Sequence, residues 1–131
     1  MQQRKNPTSF MGGSVNYNHL ILDASGCKNL TNESVITEFL LDLVKIAKMK
    51  LLTRKGVINP QIFLGSKKLP GLTSTVIIET SHISIHTFSD TGKVNFDIYS
   101  CKSFDNYKVV QHFRKVFKPK HLEIVGVHRK N

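Results

Sequence analysis

The chain has 131 residues, 40% of them apolar, enough for one ordinary core and too few for two domains of typical size. Its net charge of +10, from 19 Lys and Arg against 9 Asp and Glu, favours loose attraction to polyanions. The basic residues are scattered, from Arg4 and Lys5 to Arg129 and Lys130, without a long run or a zinc-finger or Gly-rich RNA motif, so they read as a solvated surface and not a dedicated nucleic-acid site.

No apolar run approaches the roughly 20 residues of a membrane span, and the first ten residues lack the apolar stretch of a secretory signal. Cys27 and Cys101 form no C-x-x-C and no metal-ligand spacing. A cytoplasmic, reduced protein without metal or membrane contact is the expectation.

Residues 1–16, rich in Gln, Asn, Gly and Ser, read as a flexible lead-in, and a single domain is expected over 17–131. Tyr17 to Ala24 permits a strand closed by Ser25-Gly26. Capping side chains at Asn29 to Asn32 precede a helix over Glu33 to Met49, where Val35, Ile36, Phe39, Leu40, Leu43 and Val44 form one apolar stripe. Leu51 to Thr53 permits a short strand. Gly56, Pro60, Gly65, Pro70 and Gly71 then mark a long irregular connection over 54–73. Three β-rich stretches follow at Ser74 to Glu79, Ile83 to Phe88 and Val94 to Ser100, and predict an antiparallel meander. A second helix is predicted at Asp105 to Phe117, stopped by Pro119, and a last strand at Leu122 to Val127. Few helices among antiparallel strands imply an α+β two-layer sandwich, an antiparallel sheet with its helices packed on one face.

The reactive side chains concentrate in Thr80-Ser81-His82-Ile83-Ser84-Ile85-His86-Thr87-Phe88 and in Asp97-Ile98-Tyr99-Ser100-Cys101. Serine, histidine and cysteine so close together are candidate nucleophile and acid–base groups. The plainer reading is that His82, Ser84 and His86 alternate as the polar face of a half-exposed strand and Cys101 is a packed thiol. Ser81 and His86 are five apart, which puts them on opposite faces of a regular strand. Shared chemistry then requires a turn, bulge or chain end between them.

The segment closely resembles the processing site of the prokaryotic S-adenosylmethionine decarboxylases, whose pattern runs E-S-H-[LI]-[ST]-I-H-T-[WF]-P-E and then D-[VI]-[FY]-[TS]-C. The spacings from Ser81 to His86 and to Cys101 fit it without a gap. Weaker likeness runs from His19-Leu20 through Ser25-Gly26-Cys27 to Lys118-Pro119-Lys120.

The resemblance implies a zymogen that cleaves itself between Thr80 and Ser81, leaving a covalent pyruvoyl group at position 81. That rearrangement needs a distorted peptide and a stabilised oxyanion, so a local distortion near Ser81 is expected. The resemblance assigns His86 to processing, with Thr73 as a supporting hydroxyl where the family carries serine. The pyruvoyl group would form a Schiff base with S-adenosylmethionine, Cys101 would return the proton after decarboxylation, and the product would feed spermidine synthesis. Asp90 stands where the family has a glutamate that binds the ribose hydroxyls, and Phe88, where the family commonly has tryptophan, would either pack on the substrate or fill the core. Cys27 has no counterpart and is expected to pack. A homodimer of cleaved chains, each active site built from both protomers, is also implied.

Four positions depart from the pattern: Thr80 replaces the usual glutamate, Glu79 falls one residue earlier, Ser89 replaces proline, and Lys67-Lys68 occupy the place of an adenine-stacking aromatic. Phe63 or Phe88 would have to supply that platform. Two alternatives stay open: a pyruvoyl-dependent arginine or ornithine decarboxylase on the same scaffold, and an unprocessed, non-enzymatic binding protein.

Overall fold

The computed structural model describes residues 3–5 and 16–130. In chain order the elements are β1 (Gln3–Lys5), β2 (His19–Ser25), α1 (Glu33–Ile46), β3 (Gln61–Leu64), β4 (Leu72–Ile78), β5 (Ser81–Phe88), β6 (Lys93–Tyr99), α2 (Asn106–Phe117) and β7 (His121–His128). The strands form one sheet in the order β1-β7-β2-β6-β5-β4-β3, antiparallel at every pairing. Both helices lie on one face, so the expected two-layer α+β sandwich is what the chain adopts. Among the described residues no helix is long and apolar enough to cross a membrane.

The helices start where side-chain caps permit. Asn32 accepts a hydrogen bond from the Val35 N–H (3.1 Å), and Asp105 accepts one from the Lys108 N–H (3.1 Å). α1 stops at Ile46, three residues before the expected end, because Lys48 turns left-handed (φ 55°). α2 ends on Lys118, also left-handed (φ 45°), just before Pro119.

The stripe of α1 buries Ile36, Phe39, Leu40, Leu43 and Val44. It meets Val109, Val110, Phe113 and Phe117 of α2 and the inward residues Leu20, Leu22, Val76, Ile83, Ile85, Phe96 and Ile98 of the sheet. Phe39 is the hub, edge-on to Phe117 at 4.9 Å and to Phe96 at 5.7 Å between ring centres. Such aromatic pairs contribute about 0.5–1.5 kcal/mol beyond the area they bury. The other sheet face carries His19, Thr73, Thr75, Ile77, His82, Ser84, His86, Asp97 and Tyr99 and, among the described residues, has no helix on it.

Two stretches differ from the sequence-based expectation. The connection over 54–73 contains β3, which pairs with β4 from Gln61↔Thr75 to Leu64↔Leu72. Leu51 makes only an isolated bridge to Ile78. Asn59 fastens this loop by donating to the Leu52 and Ile77 carbonyls (2.8 and 2.7 Å) and accepting from the Ile77 N–H (2.9 Å). Within the lead-in, Gln3–Lys5 form the edge strand β1 on β7; the remainder of that expectation, up to residue 15, lies outside the described residues.

Candidate active site

The β4–β5 hairpin closes on the pair Ile78↔Ser81, leaving Glu79 and Thr80 as a two-residue loop. Thr80 takes a left-handed backbone (φ 56°), a conformation disfavoured for a β-branched residue and costing on the order of 1–3 kcal/mol. The distortion expected near Ser81 is therefore present one residue before it, on the acyl side of the Thr80-Ser81 bond. The Glu79 N–H donates to the Lys50 carbonyl (3.2 Å), which holds the loop down on the segment after α1.

β6 delivers Cys101 to the same turn. The Ser100 N–H bonds the Asn18 carbonyl (2.9 Å), which fixes the exit of the strand. Thr80 Oγ1 lies 2.8 Å from Cys101 Sγ and 2.7 Å from the Glu79 carbonyl, and the Cys101 N–H reaches Ser81 Oγ at 3.4 Å. Thr80, Ser81 and Cys101 line a cleft of about 590 Å³ with Met49, Ile78 and Phe104, at the end of the sandwich where α1 stops and α2 begins. The Thr80 carbonyl, the Ser81 hydroxyl and the Cys101 thiol thus meet at one strained turn.

His86 and Thr73 are elsewhere. They are paired across β5 and β4, with Thr73 Oγ1 2.9 Å from His86 Nδ1, on the helix-free face. β5 keeps unbroken register with β4 and β6 along its length, with no bulge between Ser81 and His86. At about 3.3 Å per residue His86 stands roughly 17 Å along the strand from Ser81 and on the opposite face. The turn or bulge that would unite them within one chain does not exist. Asp90, in the exposed turn after β5, and half-buried Phe88 are farther still from Ser81.

The plainer reading of the strand holds geometrically: His82, Ser84 and His86 share one face, and Ser84 bonds Thr75 (3.1 Å). Phe63, 62% exposed, lies opposite Thr73 in register. With Leu52, Val57, Ile58 and Ile77 it borders an apolar pocket of about 590 Å³ on that face. Cys27 packs against the core, and burial pushes its thiol up.

One cluster was not foreseen. His19 and His82 both place Nε2 on Asp97 Oδ2, at 2.9 and 3.0 Å. Burial alone raises the Asp97 carboxyl, but the hydrogen bonds and charge of the two histidines outweigh it and hold it well below the usual carboxylate range. Its members come from three strands, 78 residues apart at the extreme, so linear spacing carried no signal for it.

Set against known proteins, residues 18–130 match the sequence model of the family described as S-adenosylmethionine decarboxylase. The S-adenosylmethionine decarboxylase proenzyme of Clostridium botulinum (strain Langeland) is 31% identical over 115 residues, covering 85% of this chain and 91% of that protein. The proenzyme of the same name from Methanococcus maripaludis (strain C7) is 28% identical, covering 85% and 87%. That from Pyrococcus furiosus is 26% identical, covering 85% and 76%. With a match spanning nearly all the described residues and reactive side chains gathered at the turn where the resemblance puts them, the chain belongs to the S-adenosylmethionine decarboxylase family.

Proposed function

We propose that this chain is a proenzyme that cuts itself between Thr80 and Ser81 and then decarboxylates S-adenosylmethionine through a pyruvoyl group at position 81. The observation that carries the proposal is the Thr80-Ser81 turn, with its left-handed Thr80 and Cys101 against it. Ser81 Oγ attacks the Thr80 carbonyl carbon, and the Thr80-Ser81 amide becomes an ester. Loss of the Ser81 α-proton expels the Thr80 carboxylate from Cβ, and water releases the former Ser81 nitrogen as ammonia. Strain at Thr80 lowers the first step by raising the reactant. The Cys101 N–H, 3.4 Å from Ser81 Oγ, is a donor placed where the reacting oxygens move.

The residues around the turn suit the product of that cut: an opened loop, a cleft beside it, and a thiol adjoining. A pyruvoyl carbonyl there supplies the electron sink for loss of carbon dioxide from the substrate amine. Cys101 then holds the proton that the former α-carbon takes up.

The site is completed by a second copy. His86, Thr73, Phe88 and Asp90 act on the partner's Ser81: His86, held by Thr73, moves the proton in processing, Asp90 takes the ribose hydroxyls, and Phe88 or Phe63 offers a face to adenine where Lys67-Lys68 cannot. Exposed Phe63 (62%) and Ile77 (52%) on the helix-free face support its being covered in a homodimer. Cys27 and Cys101 are not joined in a disulfide, which suits a reducing cytoplasm.

Intact mass under denaturing conditions tests the cut. The expected result is two fragments, 1–80 and 81–131, the second blocked by a ketone-reactive group, and a single uncut chain in Ser81→Ala. One uncut species in both samples after folding and long incubation removes the proposal.

A further inference from the structure

We propose that His19, His82 and Asp97 form a binding site for one divalent transition-metal cation on the helix-free face of the sheet. The inference stands on the fold and does not depend on self-cleavage. His19 of β2 and His82 of β5 both lie opposite Tyr99 of β6, and Asp97 is two residues before Tyr99 on the same strand and face. The sheet register therefore sets two imidazoles on either side of one carboxylate.

The three ligand atoms lie within 4.8 Å of one another, and the two Nε2–Oδ2 separations are 2.9 and 3.0 Å. Ligands held at about 2.0–2.2 Å from a zinc-like cation, at angles between a right angle and the tetrahedral value, are themselves about 2.8–3.6 Å apart. The two nitrogen–oxygen separations already fall in that range, and the two imidazole nitrogens, within 4.8 Å of each other, draw together to about 3.6 Å or less around a cation. Two imidazole nitrogens and one carboxylate oxygen are a donor set that binds zinc or iron(II) with positions left open. In the single chain the side chains are 18%, 37% and 31% exposed for His19, His82 and Asp97, and in the homodimer proposed above the open positions would face the second copy.

Without metal, each Nε2–H donates to Oδ2. On binding, each nitrogen offers its lone pair and the proton moves to Nδ1. The guanidinium of Arg129, 4.6 Å above the Tyr99 ring, opposes a second positive charge and moderates the affinity. The lack of metal-ligand spacing at Cys27 and Cys101 does not bear on a site whose members come from three strands.

Cobalt(II) is the probe, titrated into chelator-stripped Ser81→Ala full chain, which stays uniform whether or not the wild type cuts itself. The expected result is visible d–d absorption that saturates at one cation per chain. Asp97→Asn and His82→Ala each weaken binding about tenfold or more, in line with the sensitivity of metal sites to their supporting groups. His121→Ala, an exposed histidine on β7, leaves binding unchanged, and circular dichroism confirms that each variant folds. His19→Asn serves if either of the first two does not. Absence of a saturable band, or a band that survives the triad substitutions, overturns the site and leaves a hydrogen-bonded trio tying three strands.

Discussion

The two faces of the sheet carry two unlike half-sites. At the end of the helix-covered side, Thr80, Ser81 and Cys101 are drawn together by a closed hairpin and the exit of β6, and a left-handed threonine precedes the bond proposed for cleavage. On the bare side, Thr73 and His86 are well formed as a pair, set apart from the turn that holds Ser81. The first half has a strained bond and no base; the second has a base and no bond. Five residues on one regular strand separate them, so nearness in sequence became distance in space, and the homodimer proposed above is what would reunite them.

The largest expected effect tests the first half. Cys101→Ala leaves the cut possible, while carbon dioxide release from S-adenosylmethionine falls by about 10²–10⁴-fold, the usual loss on removing a positioned acid; turnover near wild type in a fully cut variant would remove Cys101 from the chemistry. Next comes the division between copies. His86→Ala slows self-cleavage by about 10²-fold, and mixing it with Ser81→Ala restores cutting of the His86→Ala chain, because the other chain lends an intact histidine. Fragments counted on a denaturing gel decide it, and a mixture that stays uncut places both halves in one chain after all.

The smallest effect distinguishes the faces by their chemistry. The helix side is held by apolar packing, the bare side partly by Asp97. Its carboxyl is depressed in the fold, so the stability it contributes is present above the unfolded value of about 4 and is lost as pH falls below that. Urea unfolding from pH 7 to pH 3 should show this loss, and Asp97→Asn should flatten the curve; equal slopes would show that the carboxylate contributes nothing.

Much of the scaffold was legible because its signals are periodic. The stripe from Val35 to Val44 and the alternation of Val94, Phe96 and Ile98 each match one period and nothing else. β3 was not, since Gln61 to Leu64 is four residues between Pro60 and Gly65 with only Ile62 half-buried, too short to show a period. At the site, the motif named Ser81, His86 and Cys101, and strand parity already placed the first two on opposite faces. Whether a bulge cancels that parity is decided by pairing with β4 and β6, which no single segment encodes. The His19–Asp97–His82 cluster depends on the same cross-strand register.

The order of strands has one more consequence. A break after Thr80 assigns β1 to β4 with α1 to one polypeptide and β5 to β7 with α2 to the other. In the sheet, β2 of the first lies between β7 and β6 of the second, and β5 of the second lies between β6 and the first fragment's β4. The two pieces are threaded through each other like the fingers of clasped hands. After the proposed cut they are expected to stay together through dilution and gel filtration and to part only in denaturant, so that maturation would change the number of chains without changing the particle.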